Sequence, residues 1–117
     1  MNKINKIKNN WEFQKIYRKG RYAVSNALVV YVQPNHLEIN RLGITASKKY
    51  GISVKRNRIR RLIRECYRLF QEKLKQGYDF VIVARKTDCG EDPGFNQIYK
   101  EMRYLMKRLN VIEQEMK

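Results

Sequence analysis

The sequence holds few of the residues from which metal sites, disulfide scaffolds and membrane spans are built. Its 117 residues include two cysteines, which lie far apart, and a single histidine. Two distant cysteines exclude a disulfide scaffold, and one histidine argues against a zinc site. No apolar run approaches the roughly 20 residues that a membrane span requires, and residues 1–8 lack the apolar segment of a secretory signal. We therefore expect a cytoplasmic protein that has no membrane association.

Acidic residues are also scarce. Aspartate and glutamate number 11 against 26 lysines and arginines, so the formal net charge is +15. The apolar fraction of 43% is ordinary for a globular protein and excludes wholesale disorder. A chain of this length forms one domain with its own core. We predict a single domain over residues 1–117, with a basic N-terminal tail at 1–8 and a frayed C-terminus at 112–117.

The positive charge is concentrated in one stretch. Between Arg41 and Arg68, ten basic residues are accompanied by one acid, Glu65, so these 28 residues carry more than half of the net charge. The six basic residues from Arg56 to Arg68 are all arginine, a side chain that suits bidentate phosphate contacts and stacking on bases. A solvated helix face is the alternative, but such faces usually mix the two signs. We interpret the stretch as a surface that binds a polyanion.

Hydrophobic periodicity predicts alternating helices and strands. Asn9 is placed to cap the first helix and Gly20 to end it, while Asp92-Pro93 is placed to start the last helix. Gly43 inside a strand indicates a bulge or a close backbone approach. The predicted elements are a helix at 9–20, extended chain at 21–33 with a β-rich run at 27–32, a strand at 41–47, a helix at 53–76, a central strand at 79–85 and a final helix from 92 onward.

The helix at 53–76 is predicted to be amphipathic, with one apolar and one cationic face. It connects the strands at 41–47 and 79–85, which indicates that these two strands are parallel. Cys66 falls on the apolar face, and we interpret it as an inert core thiol. The apolar positions are Ile59, Leu62, Ile63, Cys66 and Phe70, and the opposite side holds Asn57, Arg61, Arg64 and Arg68.

Three aromatic side chains indicate a second functional surface. Phe13 and Tyr17 lie one turn apart on the first helix, and Tyr31 lies on a strand. If these rings line a groove near Lys48 and Lys49, they form a surface for single-stranded nucleic acid, since rings stack on bases and lysines hold the backbone. Core packing is the alternative, for Phe13 in particular.

No arrangement of residues indicates a protein active site. His36, the single histidine, has no acid–base or metal-binding partner in sequence, and no glycine-rich phosphate loop precedes a helix with the required Lys-Ser/Thr. We therefore expect neither a catalytic nor a metal-binding residue in this chain.

Two adjacent segments resemble the bacterial ribonuclease P protein family. They are Arg41-Leu-Gly-Ile-Thr-Ala-Ser-Lys-Lys-Tyr-Gly51 and Val54-Lys-Arg-Asn-Arg-Ile-Arg-Arg-Leu-Ile-Arg-Glu65. The family shows a Gly-x-Ser-x-Ser-Lys-Lys-x-Gly strand and loop, followed by an Arg-Asn-x-x-Lys/Arg-Arg-x-x-Arg-Glu helix. The sequence departs from the family at Ile52-Ser53, where the pair Asn-Ala is usual, and at Thr45, where serine is usual.

The resemblance implies a fold and an activity. The fold is an α/β (α+β) two-layer sandwich of order α-β-β-β-α-β-α, with a mixed sheet and a basic, left-handed crossover helix. The activity is that of a ribonuclease P holoenzyme subunit, which binds the catalytic RNA and the 5′ leader of precursor tRNA and assists Mg²⁺-dependent endonucleolytic removal of the leader. The RNA carries the chemistry and binds most of the Mg²⁺, and no further protein partner is required.

The resemblance also implies a role for each candidate residue. The residues expected to contact the RNA subunit are Arg56, Asn57, Arg58, Arg60, Arg61, Arg64 and Arg68. The residues expected to bind the leader are Phe13, Tyr17, Tyr31, Lys48 and Lys49. Two other functions compete with this interpretation, a non-catalytic RNA-binding module such as a small ribosomal protein and a stand-alone nuclease.

Overall fold

The computed structural model describes residues 3–87 and 91–113, which form a five-stranded sheet with three helices. The elements in chain order are β1 (Asn5–Lys6), α1 (Asn10–Lys19), β2 (Arg21–Val24), β3 (Leu28–Pro34), β4 (Arg41–Thr45), α2 (Ser53–Phe70), a 3₁₀ turn (Gln71–Lys73), β5 (Tyr78–Ala84) and α3 (Phe95–Arg108). The predicted fold class and the order of the predicted elements are confirmed. Within the described residues, no helix is long and apolar enough to cross a membrane.

The sheet is mixed, with the strand order β1-β4-β5-β3-β2. β4 and β5 are parallel neighbours, with Leu42 opposite Phe80, and α2 is the connection between them. β3 is antiparallel to both β5 and β2. The parallel pair predicted from the β-helix-β step is therefore confirmed, while the left hand of the crossover stays a prediction.

The two faces of the sheet are covered to different extents. Alternate residues of β3, β4 and β5, such as Leu28, Val30 and Phe80, pack with α2 and α3 in one large core. Burying one such side chain stabilises the fold by roughly 1.5–3 kcal/mol. On the opposite face, among the described residues, α1 and Ile7 pack in a smaller cluster with Val81 of β5. Part of that second face therefore remains open.

Cys66 lies in the larger core and is fully buried. Burial raises the pKa of its thiol to about 12, because the thiolate would lose its hydration. The interpretation of Cys66 as an inert core thiol is confirmed.

The N-terminal segment differs in part from the predicted tail. Ile4 and Ile7 are 8% and 6% exposed, and the residues between them form β1, which extends the sheet beside β4. Two isoleucines three positions apart are too few to show a strand period. Burial of both side chains in the assembled fold nevertheless holds this short segment in place.

Three predicted element ends also differ. α2 ends at Phe70 rather than at residue 76, because Leu74 is extended and pairs with Ile112. This pairing also holds Ile112, at the start of the predicted frayed C-terminus, in place. Residues 114–117 lie outside the described part of the chain. α3 begins after Gly94, and Asp92 faces Lys55 at 3.8 Å instead of capping a helix. Gly20 follows α1 with an extended backbone, not the left-handed one of a C′ glycine.

Candidate nucleic-acid interface

Tyr17 and Tyr31 meet on the partly open face of the sheet. Their ring centroids are 5.0 Å apart in an edge-to-face arrangement, and both side chains are half-buried. The Tyr17 hydroxyl lies 3.0 Å from the Thr45 hydroxyl, and this contact fixes the Tyr17 ring relative to β4. The sequence had grouped these two rings, and the structure brings them together. Thr45, which stands where serine is usual in the family, thus contacts α1 through its hydroxyl.

Phe13 sits beside them and is also half-buried. Its ring lies 6.5 Å from that of Tyr17, and a Cβ added to Gly43 would approach the Phe13 ring to 2.5 Å. The close approach predicted at Gly43 therefore exists, but it is made by a ring rather than by backbone. One side of the Phe13 ring packs on the sheet at Gly43 and the rest remains accessible, so a role of this ring in binding stays a prediction.

Cross-strand pairing defines the floor of this surface, which we call the aromatic groove. Residues that face one another across neighbouring strands point to the same side of the sheet. One such row is Gly43, Val81, Tyr31 and Tyr22, and the next is Thr45, Val83, Val29 and Val24. With Phe13 and Tyr17 of α1, these two rows form the aromatic groove.

Tyr22 is a member of the groove that sequence reasoning missed. Its ring centroid lies 5.5 Å from that of Tyr31, and its side chain is 62% exposed. The interpretation of residues 21–33 as extended chain did not show where the hairpin turns. Without that register, Tyr22 had no assigned neighbour.

Four basic side chains lie at one end of the groove and form what we call the cationic rim. Lys48 and Lys49 are exposed in the turn after β4, which the Tyr50 N–H closes by donating to the Ser47 carbonyl. Arg85 and Lys86 are exposed directly after β5. Because β4 and β5 are parallel, both pairs of residues follow strands that end at the same end of the sheet. Arg85 and Lys86 were not among the predicted residues.

The seven candidates for contact with the RNA subunit all lie on α2, and we call them the arginine face: Arg56, Asn57, Arg58, Arg60, Arg61, Arg64 and Arg68. Asn57, Arg61 and Arg68 are exposed, and the others are half-buried. Within the described part of the chain, no arginine of this face lies within salt-bridge distance of a carboxylate. The face therefore keeps its positive charge available for a polyanion.

Two members of the arginine face also hold the fold together. Arg58 donates to the Pro93 carbonyl at 3.1 Å, and Arg60 donates to the Ala46 carbonyl at 3.1 Å. A guanidinium has five N–H donors, so each of these arginines retains donors for other partners. Sequence alone gave no sign that these two side chains differ from Arg61.

The arginine face and the aromatic groove approach each other at the edge of the sheet. A cleft of about 190 Å³ is lined by Phe13 and Gly43 on one side and by Arg60 and Arg64 on the other. Phe13 and Arg60, one from each predicted site and 47 positions apart in sequence, therefore border one cavity.

Arg41 lies in the basic stretch, but its charge is balanced by two carboxylates within the fold. Its guanidinium contacts Glu12 at 2.7 Å and donates two hydrogen bonds to Asp79, from Nε at 2.8 Å and from Nη2 at 2.7 Å. The hydrogen bonding that Arg41 donates to Asp79 is the main reason why the pKa of Arg41 is raised. This cluster ties α1 to β4 and β5, and its charge is neutralised internally.

The side chains that the structure describes do not fit a protein-held Mg²⁺ site. In residues 3–87 and 91–113, no three His, Cys, Asp or Glu side chains are grouped so that they could hold a metal ion. The most buried carboxylate, Asp79, is already paired with Arg41. We therefore assign no step to a metal ion bound by the protein.

Comparison with known proteins gives consistent matches over nearly the whole chain. The ribonuclease P family profile matches residues 1–110. Two relatives named "Ribonuclease P protein component", from Alkaliphilus oremlandii and Clostridium botulinum, are 41% and 44% identical and cover 96% and 93% of this chain and 96% and 97% of their own lengths. The Staphylococcus aureus RNase P protein structure superimposes with a TM-score of 0.82 at 34% identity, covering 94% of this chain and 99% of that chain. The Thermotoga maritima RNase P protein gives 0.79 at 26% identity, covering 89% and 96%.

Proposed function

Because this chain belongs to the ribonuclease P protein family, and is thus a subunit of an endoribonuclease that processes tRNA, we propose that its two surfaces bind two different RNAs. The arginine face binds the catalytic RNA subunit, and the aromatic groove with its cationic rim binds the 5′ leader of precursor tRNA. The observation that carries the proposal is the pair of surfaces itself: an arginine face on α2 that has no carboxylate partner in the described residues, and accessible rings beside lysines on the other side of the sheet.

The arginine face has the chemistry of a phosphate-binding surface. Arginine forks match phosphate oxygens, and the face is free of carboxylate partners in the described residues. The start of α2 adds to this potential. Its first turn contains no acidic residue and its N-cap, Ile52, supplies no capping side chain, so the first N–H groups of the helix remain available to an anion. The departure from the family's usual Asn-Ala pair at Ile52-Ser53 thus leaves the N-terminus of α2 without a capping side chain.

The aromatic groove has the chemistry of a single-strand site. Tyr17 and Tyr31 present rings on which bases of any identity stack, and the cationic rim lies where the sugar–phosphate backbone would leave the sheet. Stacking and backbone contacts do not depend on base identity, so they suit a leader without a fixed sequence. Mature tRNA lacks the leader, so the groove favours precursor over product.

The chemistry of cleavage is assigned to the RNA. The protein lowers phosphate repulsion within the complex, so the RNA folds and binds its Mg²⁺ at lower ion concentration. We place the protein in the cytoplasm, where bacterial precursor tRNA is processed.

Reconstitution with the RNA subunit tests the proposal. Precursor cleavage is measured against Mg²⁺ concentration, and we expect activity at lower Mg²⁺ when the protein is present. The triple variant Arg61→Gln, Arg64→Gln, Arg68→Gln is expected to lose most of this gain. No gain from the wild-type protein would refute the proposal and favour a general RNA-binding module.

A matched control removes the same charge elsewhere. Lys100, Lys107 and Arg108 are exposed cations of α3, and their change to Gln is expected to leave most of the gain intact. Equal loss in both triple variants would show that total charge, and not the arginine face, is responsible.

A further inference from the structure

Tyr22 continues the row of rings beyond the two that were predicted. It lies directly opposite Tyr31 in the antiparallel pairing of β2 and β3, with the ring planes tilted by 34° at 5.5 Å. The row Tyr17, Tyr31, Tyr22 therefore runs from α1 across the sheet to its edge strand. We propose that Tyr22 is a stacking position for one base of single-stranded RNA, at the end of the aromatic groove that lies on the edge strand β2. This inference rests on the leader-binding role proposed above.

The exposed side of β2 is unusual for an edge strand. Tyr22 and Val24 are 62% and 46% exposed and both face the groove, whereas Ala23 is buried and Arg21 donates to the Leu109 carbonyl on the other side. Edge strands usually present charged residues to solvent, because exposed apolar edges promote association. Tyr22 and Val24 add an exposed apolar surface to the aromatic groove, and a continuous apolar patch of this kind is typical of a surface that a ligand covers.

The charge around this edge identifies the class of ligand. Between Glu12 and Glu38 the sequence contains no acidic residue. Of the four basic residues in this interval, Lys15 lines a cavity with Glu12, and Arg21 lies on the other side of the sheet. The other two, Arg18 and Lys19, are exposed in the last turn of α1, next to the start of β2. Such a surface attracts a phosphate backbone. Pairing of β2 with a second copy of the chain would instead bring two molecules of net charge +15 together, which is unfavourable without RNA.

The local backbone keeps Tyr22 close to Tyr17. α1 ends at Lys19 and β2 begins at Arg21, with Gly20 alone between them. A Cβ at Gly20 would lie 2.7 Å from the Ile16 carbonyl oxygen and 3.0 Å from that of Val32, so only glycine permits this junction without a shift. The two tyrosines therefore have a fixed relative position, as a stacking surface for successive bases requires.

Leader length separates the contributions of the individual rings. The dissociation constant of the holoenzyme is measured for precursors whose leader is shortened one nucleotide at a time, and for mature tRNA. With a long leader, Tyr22→Ala is expected to weaken binding about five- to tenfold, the low end for stacking on an exposed ring. Mature tRNA is expected to bind unchanged. Because Tyr31 lies between the two rings, Tyr22→Ala and Tyr17→Ala should first reduce affinity at different leader lengths.

Conservative variants and one control complete the experiment. Tyr22→Phe is expected to keep full affinity because it keeps the ring plane, and Tyr22→Leu to lose it because an aliphatic side chain does not stack. Tyr104→Ala removes another exposed tyrosine, 51% accessible, on α3 and should have no effect. Thermal unfolding confirms that each variant is folded.

Three results would overturn the inference. The first is full affinity of Tyr22→Ala for every leader while Tyr17→Ala is impaired, which would leave the proposed function standing. The second is equal loss for precursor and mature tRNA with Tyr22→Ala alone. The third is a dimer of the free protein that Tyr22→Ala dissociates. If neither tyrosine variant discriminates precursor from mature tRNA, the leader-binding role itself fails.

Discussion

Replacement of Tyr17 by alanine is the most direct perturbation of the aromatic groove. Stacking of one base on an aromatic side chain contributes about 1–3 kcal/mol. Because the Tyr17 ring already packs edge-to-face with the Tyr31 ring and the side chain is half-buried, only part of the ring is available to a base. We therefore expect a loss of about 1–2 kcal/mol, or roughly 5- to 30-fold in Kd for the precursor.

The assay compares equilibrium binding of precursor and mature tRNA to the reconstituted holoenzyme, at one fixed salt concentration, with the scissile linkage of the precursor blocked. Tyr17→Ala should weaken precursor binding alone. Tyr17→Phe keeps the ring and removes only the hydroxyl contact with Thr45, which is worth about 0.5–1.5 kcal/mol of stability. It should therefore bind the leader normally and unfold at a slightly lower temperature. Equal loss for precursor and mature tRNA with Tyr17→Ala would refute the reasoning.

Three further predictions concern packing, electrostatics and the core. Gly43→Ala places a methyl group where the Phe13 ring lies, at 2.5 Å, and should lower the free energy of unfolding by about 1–3 kcal/mol in chemical denaturation; unchanged stability would mean that the ring moves away freely. Arg61→Ala should reduce the slope of log K against log salt by about one for binding to the RNA subunit, without a change in thermal unfolding, and an unchanged slope would remove this exposed side chain from the interface. In a Cys89→Ser background, Cys66 should resist alkylation at pH 8 until the protein unfolds, because burial raises its pKa to about 12 and leaves almost no thiolate; rapid labelling of the native protein would contradict this.

The pH dependence linked to Cys66 has a definite sign. Burial raises the pKa of the Cys66 thiol from its ordinary value of 9.0 to about 12, so between these two values the unfolded chain releases a proton that the folded chain keeps. Because the unfolded state then binds fewer protons, the Cys66 contribution lowers the stability of the fold as pH rises through this range.

The candidate site could be predicted where its signal is local. The apolar spacing of Ile59, Ile63 and Cys66 shows which side of α2 is buried, and so it also shows where the arginine face lies. The pairing of Tyr17 with Tyr31 was an interpretation of residue type, and the structure supports their proximity at 5.0 Å. Tyr22, Arg85 and Lys86 were missed, because their place in the site depends on strand register and on parallel pairing between distant segments.

Arg41 illustrates the opposite error. In sequence it is one more cation in a basic stretch, but Glu12 and Asp79 neutralise it in the fold. These carboxylates lie 29 and 38 positions away, and no local pattern connects them to Arg41. Charge counted along a chain therefore overestimates the charge that a surface presents.

The sequence by itself determined the element types, the buried side of each helix and the excess of positive charge, because periodicity and composition are properties of neighbouring residues. Only the tertiary structure decided that β1 joins the sheet, that Phe13 rests on Gly43, and that three tyrosines form one row ending at Tyr22. These contacts depend on which strands are neighbours and in which register. Because the two faces of the sheet are buried to different extents, a one-residue shift of a strand would move its side chains to the wrong face. Packing between distant segments therefore selects the register, which no single segment specifies.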